Sequence, residues 1–554
     1  MNDYDVIVLG TGAAGLTAAV TAAEGGARVG LFEKGETVGG TTAYSGGMIW
    51  IPVNPHEPAE KGDSRERALT YLKTLSNGLI TDEMAETYVD AGSEMVTYLE
   101  DRTPVQFYCV PDFPDYHPEQ PGAMAQGGRT LECPLYTFGE LGEWRERVHI
   151  SPYWPTYHIT VGETTLGQPV PKEFPPEEME RRAANDERGM GLALVGRLLR
   201  ACLDRGVEPQ TGQRAVELLV EDGRVAGVVF ETASGRKDVR APNVVIGTGG
   251  FERDPELVRA FLRGPCTHAV SVPWNTGDGL RMVMRIGAML GNMREAWWMP
   301  VVEIPGSNPA GQMLLTVERT QPGTIMVNRS GRRFTNEAAN YNAFGAAFHE
   351  QDTTLGVYRN LPCWMIFNRA WYKAYGLAGG LADAEQSPDE PPGWAVGADT
   401  LAGLAEKLGI PADALEETVE RFNANARELR DPDFHRGESV FDRWWGDPTR
   451  RDGTAAPTLG PIEGGPYYAV EVHSGALGTK GGPQTDTRAR VLDVDGNVIP
   501  GLYAAGNAMA SPMGMTYGGA GGTLGPAMVF GYLAGRDVGE RVAAGAKEAL
   551  GAAR

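Results

Sequence analysis

The chain is short of cysteine, of long apolar runs and of positive charge, and each shortage excludes a class of protein. Its five cysteines (109, 133, 202, 266 and 363) are odd in number and form no C-x-x-C pair. That pattern excludes a disulfide framework and a cysteine zinc site, so no metal is expected, and it fits thiols kept reduced in a cytoplasm. No run of about eighteen apolar residues occurs, so no segment is expected to span a membrane. Met1-Asn2-Asp3-Tyr4-Asp5 has no basic stretch and leads into a strand-like run, so no secretory leader is expected. Lys and Arg number 50 against 72 Asp and Glu, a net charge of −22. That balance argues against nucleic acid or an anionic membrane as partner. At 554 residues the chain is too long for one core, and two or more domains are expected.

Glycine is plentiful, 74 residues, and much of it falls in loops at strand ends. Tyr4 to Gly10 reads as a buried strand. Gly10, Gly12 and Gly15 follow in G-x-G-x-x-G spacing, residues 13–24 are Ala-rich and helix-prone, and Val29 to Phe32 reads as a second strand ending at Glu33. The three glycines suit a tight turn, close approach to a pyrophosphate and helix–strand packing, while the terminal acid suits a ribose hydroxyl. A dinucleotide site is therefore expected. A second small-residue loop, Gly39 to Gly47, follows at once; a long flavin cofactor needs such a stretch of backbone donors and a nicotinamide does not. Strand ends at 244–251 and 501–507 point at the same place. The expected FAD set is Gly10, Gly12, Ala13, Ala14, Gly15, Glu33, Lys34, Gly40, Thr41, Thr42, Ser45, Gly46, Gly47, Gly249, Asp278, Gly506, Asn507, Gly522 and Leu524. Residues 39–50 hold no His or Cys to bond a flavin ring, so the FAD is expected to be non-covalent.

The densest glycine loop is 516–526, Thr-Tyr-Gly-Gly-Ala-Gly-Gly-Thr-Leu-Gly-Pro. A helix starting after Pro526 would aim its positive end into that loop, where Tyr517 adds a phenolic O–H. The combination suits an oxygen that gains negative charge.

These segments resemble the flavoprotein subunits of succinate dehydrogenase and fumarate reductase, over about two-thirds of the chain. The resemblance implies an α/β architecture: a Rossmann-like FAD-binding domain with an inserted α+β catalytic (cap) domain. Residues 1–299 are expected to form the first part of the FAD domain, with an irregular, aromatic-rich excursion at 111–180 that packs as a lid. Residues 300–456 are expected to form the cap and 457–554 to return to the FAD domain and end in a helix. Helices are expected at 188–205, from Asp278 to about 290, and near 369–375, 399–408 and 412–428, with a strand meander over 214–247 and a loop at 388–393.

The loop 516–523 is similar, more narrowly, to that of 3-ketosteroid Δ1-dehydrogenases. The resemblance implies that Tyr517 and the Gly521 N–H bind a ring ketone. It also implies a tyrosine base after an Arg-Phe-x-Asn-Glu run, here Arg333 to Glu337 followed by Tyr341. A relay tyrosine is implied in an Asp-Tyr-x-Pro-Glu stretch, here Asp115 to Glu119 with Tyr116. An ordinary phenol has a pKa of about 10, so Tyr341 needs a neighbour that lowers it, and Tyr116 is the candidate. Tyr341 would take the proton beside the carbonyl while flavin N5 takes a hydride from the next carbon. Reduced FAD would pass its electrons to an external acceptor, a quinone being one class. The implied function is α,β-desaturation of a cyclic ketone, a 3-ketosteroid above others.

Some residues depart from that family. Gly518 and Ala520 stand where prolines are expected, and His473-Ser474 replace an apolar residue and a proline. A polar pair beside the ring favours a smaller ketone such as a cyclohexanone. His473 also invites comparison with the carboxylate-binding histidine of fumarate reductases, for which Arg332, Arg333 and Arg421 would be the cationic candidates. A structural role for His473 and a non-catalytic flavin-binding protein stay open at this level.

Overall fold

The computed structural model describes residues 2–154, 156–306, 310–377 and 390–552. Residues 388 and 389 of the expected 388–393 loop lie outside this set. Two sheets carry the architecture. The first has six strands in the order Arg490–Leu492, Val498–Ala504, Val244–Ile246, Val6–Leu9, Val29–Phe32 and Pro209–Gln210. All neighbours pair in parallel except the first two. The four Val6–Leu9 side chains are all buried, as a central parallel strand covered on both faces requires. Its C-terminal end, with those of Val29–Phe32, Val244–Ile246 and Val498–Ala504, opens on one crevice, where ligands of open α/β sheets bind. Helix Ala13–Glu24 packs against the long C-terminal helix Leu524–Ala552, the faces in contact being rich in Ala and Gly. The expected meander is an antiparallel trio, Arg214–Glu221, Arg224–Thr232 and Gly235–Arg240, with turns at Asp222-Gly223 and at Ala233-Ser234, the second one residue earlier than expected.

The second sheet is ordered Gln312–Leu314, Ala296–Glu303, Tyr467–Thr479, Cys363–Asn368 and Ile325–Asn328, with His268–Ala269 and Val396–Ala398 also paired to its thirteen-residue central strand. The 299/300 boundary falls inside strand Ala296–Glu303, and Tyr467–Thr479, expected within the returning FAD domain, is the middle of the second sheet. Ala296–Glu303 is an apolar run almost to its end, and such a run does not reveal which sheet it joins. Helices Leu401–Leu408 and Ala412–Arg427 cover one face of this sheet through Leu404, Leu415, Val419 and Phe422.

Helices Met190–Leu203 and Arg369–Tyr375 form where expected, and Asp278–Arg285 is shorter than expected. The last helix starts at Leu524 rather than after Pro526. Proline fits there because first-turn N–H groups have no intrahelical acceptor to lose. The 111–180 excursion is irregular, with 3₁₀ turns and short strands, and its Phe113, Tyr116, Tyr136, Trp144 and Tyr153 are buried.

Candidate active site

A single cavity of about 1140 Å³ runs from the crevice of the first sheet to the second. At one end it is walled mainly by backbone and small side chains: Gly10, Gly12, Ala13, Ala14, Gly40, Thr41, Thr42, Ser45, Gly46, Gly47, Gly249, Gly506, Asn507 and Leu524, with Glu33, Lys34 and Asp278. Two of the expected cofactor residues do not line it. Gly15 packs helix on strand: a Cβ there would lie 1.9 Å from the Gly10 carbonyl oxygen. Gly522 sits behind the Tyr517 ring, 2.9 Å from where its own Cβ would be.

The lining fits FAD. A Cβ at Gly12 would meet nothing closer than Thr42 Oγ1 at 3.4 Å, so the space beside this residue belongs to the cavity. The first turn of helix Ala13–Glu24 presents N–H groups to that space, an anion site by geometry and dipole. Ala13 is the exception, its N–H donating to Thr42 Oγ1 at 2.9 Å. Glu33 is buried and accepts from Thr11 N and Oγ1 (3.0 and 2.6 Å) and from Gly35 N (2.8 Å). Burial pushes its carboxyl up, against those hydrogen bonds. Lys34 Nζ is held by Asp278 (2.7 Å), Thr276 Oγ1 (2.6 Å) and the Trp274 carbonyl (3.1 Å), so it and Asp278 brace the rim as a pair. No His or Cys lines the cavity among the described residues.

At the other end three phenols from three distant segments meet. Tyr116 and Tyr341 share a hydroxyl–hydroxyl hydrogen bond of 3.0 Å. Their ring centroids are 5.5 Å apart, and the Tyr517 ring lies 5.2 Å from Tyr116 and 5.6 Å from Tyr341. All three line the cavity and none is more than 8% exposed. Gly521 lines it too, with φ +95° and no room for a Cβ, which would fall 2.4 Å from the Ile49 backbone. Its N–H makes no hydrogen bond to the described protein.

The motif residues around the tyrosines are their anchors. Asp115 accepts from Trp50 Nε1, Met124 N and the buried Arg129, which also bridges to Asp63. Tyr116 N donates to the Gly518 carbonyl at 2.9 Å, tying the relay segment to the Tyr517 loop. Arg333, Glu337, Asp431 and Arg436 form a buried ion-pair network under the Tyr341 segment. Asn340 Oδ1 accepts from Ala343 N, and its Nδ2 donates to the Tyr116 carbonyl at 3.3 Å.

Burial pushes the Tyr116 and Tyr341 phenols well above the ordinary range, and Tyr517 upward as well. The expectation that Tyr116 lowers Tyr341 is not met. After burial, the neighbouring phenols raise Tyr341 further. The pull downward acts on Tyr116 instead, from its bond to Tyr341 and from the Arg319 guanidinium. Arg319 is fully buried, brought down to about 9 by burial, and donates to the Leu315, Glu337 and Ala339 carbonyls. Sequence reasoning missed Arg319, which lies in no recognised motif. It also missed Trp445, stacked on Tyr341 at 6.2 Å, and Thr523, whose Oγ1 donates to Tyr517 Oη at 2.8 Å. Thr523 was within the glycine loop; its position beside the phenol required the loop's fold. Lys480 is a further residue of this kind: buried, lowered to about 7 by burial, its Nζ holding the Met515 and Thr516 carbonyls next to Tyr517.

His473 and Ser474 do not line the cavity, so they are not the polar pair beside the ring. Ser474 Oγ bonds His349 Nε2 at 3.0 Å, and His473 stacks on His268. Arg332, Arg333 and Arg421 are also away from the cavity lining, bound to Glu417, to Glu337 and Asp431, and to Asp433.

The FAD binding domain family matches residues 5–524. The chain is 42% identical to 4-oxocyclohexanecarboxylate 2-dehydrogenase of Sinomonas cyclohexanicum, over 97% of this chain and 93% of that protein. It is 37% identical to 3-oxosteroid 1-dehydrogenase of Mycolicibacterium smegmatis, over 99% of both. The crystal structure of 3-ketosteroid delta1-dehydrogenase from Sterolibacterium denitrificans with 1,4-androstadiene-3,17-dione superposes with a TM-score of 0.89 at 36% identity, covering 98% of this chain and all of that one. The chain belongs to the 3-ketosteroid Δ1-dehydrogenase-like flavoproteins. It is an FAD-dependent oxidoreductase acting on CH–CH bonds. The non-catalytic reading is thereby set aside. Among the described residues of this flavoprotein no helix is long and apolar enough to cross a membrane.

Proposed function

We propose that this flavoenzyme introduces a double bond beside the carbonyl of a cyclic ketone, and that the ketone is a 3-ketosteroid desaturated at Δ1. The observation that carries the reading is the meeting of Tyr116, Tyr341 and Tyr517 with the Gly521 N–H at one end of a cavity whose other end suits FAD.

In this reading Tyr517 Oη and Gly521 N–H hold the ketone oxygen. Thr523 donates to that phenol, orienting its O–H outward and favouring the negative charge that develops on the substrate oxygen. Tyr341 Oη takes the proton from the carbon beside the carbonyl. With Tyr116 ionised, its oxygen takes Tyr341's own proton along the 3.0 Å bond, and the Arg319 field favours that starting charge on Tyr116. Burial of all three phenols excludes water from the enolate. Gly10 to Ala14 would hold the cofactor's diphosphate and Glu33 a ribose hydroxyl, without a covalent bond. Bound there, FAD would supply the two-electron acceptor for the hydride lost from the next carbon, with an external acceptor of the quinone class to reoxidise it.

The apolar lining beyond the phenols supports the steroid: Phe113, Val161, Leu166, Phe174, Met299, Met313 and Trp445. The cations that line the cavity are Lys34, bound to Asp278, and Lys172, beside Glu163 at 3.7 Å. A fumarate-type substrate, with two carboxylates, finds no arginine among the described lining residues. A second reading, 4-oxocyclohexanecarboxylate, is favoured by the 42% relative and by Lys172, one cation for one carboxylate.

The test is anaerobic mixing of the oxidised holoenzyme with 4-androstene-3,17-dione, 4-oxocyclohexanecarboxylate or cyclohexanone. Flavin bleaching with the steroid, and kcat/KM with a dye acceptor at least about tenfold above the other two, supports the first reading. The reverse order supports the second. Bleaching by none of the three removes the cyclic-ketone assignment.

A further inference from the structure

We propose that His268, His473 and Glu303 form a site for a divalent transition metal of the zinc class, at a corner of the second sheet away from the cavity. They come from three strands: His473 on the central Tyr467–Thr479, His268 on one neighbour and Glu303 at the end of the other. One ligand atom from each lies within 4.8 Å of the others. His268 Nε2 is already 2.9 Å from Glu303 Oε1, and the two imidazoles stack with centroids 4.2 Å apart.

Zinc bonds nitrogen and carboxylate oxygen at about 2.0–2.2 Å, which places tetrahedral ligand atoms about 3.4 Å apart. Closing from 4.8 Å to that separation is within reach of side-chain rotation, because the Glu303 side chain is 60% exposed while both histidines stand on paired strands. The surroundings serve the same end. Thr267 Oγ1 lies 2.9 Å from His268 Nδ1, holding that nitrogen and leaving Nε2, now hydrogen-bonded to Glu303, as the ligand atom a metal would take over. Glu471 Oε1 stands 3.8 Å from His473 Nδ1, a second carboxylate to orient that ring or complete the shell. Two imidazoles and a carboxylate suit Zn²⁺, Ni²⁺ or Cu²⁺ and discriminate against Mg²⁺ and Ca²⁺. A bound ion would fasten together the ends of three strands, two of which bracket the central one. This assigns His473 a role that the family comparison of its sequence neighbourhood did not supply.

The experiment uses chelator-treated holoenzyme titrated with Zn²⁺ against a chromophoric competitor. One equivalent per chain is expected, unaffected by excess Mg²⁺. His268→Ala and His473→Ala should each weaken it at least about 100-fold and Glu303→Gln about tenfold, with the flavin spectrum and turnover unchanged. Zn²⁺ should raise the thermal midpoint of the parent and not of the double histidine variant. Co²⁺ substitution gives a reading without mutation: ligand-field bands of a nitrogen–oxygen site are expected. Absence of a stoichiometric equivalent, its survival in the double variant, or a thiolate charge-transfer band placing Co²⁺ on cysteine would each overturn the site.

Discussion

The two ends of the cavity are built on opposite plans. The sheet end is walled largely by backbone, by glycines and small residues supplied by strand termini that a regular fold places together. The tyrosine end is made of side chains on three irregular segments, each held by its own buried polar anchor: Asp115–Arg129 under Tyr116, Glu337–Arg333–Arg436 under Tyr341, and Lys480 under the Tyr517 loop. The first plan depends on space, the second on single oxygen atoms. Adding atoms should therefore break the sheet end, and removing one oxygen should break the other.

The largest effect is expected from Gly12→Val. The added side chain has room within the protein but projects into the cofactor's space. The variant should purify folded and colourless, with FAD occupancy and activity both lost, read from absorbance at the flavin band and from circular dichroism. Tyr341→Phe should do the opposite. It should keep the yellow cofactor and lower kcat by about 10²–10⁴, the range for losing a general base; near-normal turnover would remove Tyr341 from the chemistry. Tyr517→Phe should cost about 10²–10³ in kcat, the loss of one oxyanion donor, again with FAD retained. Equal loss of cofactor in either tyrosine variant would show that the two ends are not separable in this way.

The smallest effect sharpens the comparison by pH. Burial raises the Tyr341 and Tyr116 phenols, so the neutral forms dominate at pH 7 and the active phenolate grows as pH rises. The kcat/KM should climb by about tenfold per unit on the alkaline side of neutrality, while FAD occupancy stays level. Replacing Arg319 with Met removes the charge that favours ionisation of Tyr116 and should move that limb to higher pH. A profile that does not move would make Arg319 a packing residue.

What could be read in advance follows the same division. Four strands of the first sheet, its cofactor turn, the meander and helices such as Ala13–Glu24 and Ala412–Arg427 were legible because each is a local pattern: a glycine spacing, an alternation, an amphipathic period; helices Arg65–Ser76 and Asp82–Arg102 were not read. The three tyrosines were legible only through resemblance to a known family, since a phenol in a chain of nineteen tyrosines carries no local mark. The sheet that residues 296–303 join was not legible because an apolar strand is compatible with either sheet. Tyr116 was assigned the wrong electrostatic sign because burial and neighbouring charge are properties of the folded interior. The same limit hid the His268–Glu303–His473 cluster, whose members are up to 205 residues apart and match no metal spacing.

By itself the sequence determined that this chain builds a dinucleotide crevice at the ends of parallel strands, because glycine spacing and strand–helix–strand order act over short stretches of chain. Tertiary structure alone decided which phenols touch, which cation biases them, and that His473 faces a neighbouring histidine instead of the cavity. Those outcomes depend on distances between residues hundreds of positions apart, and only packing sets them.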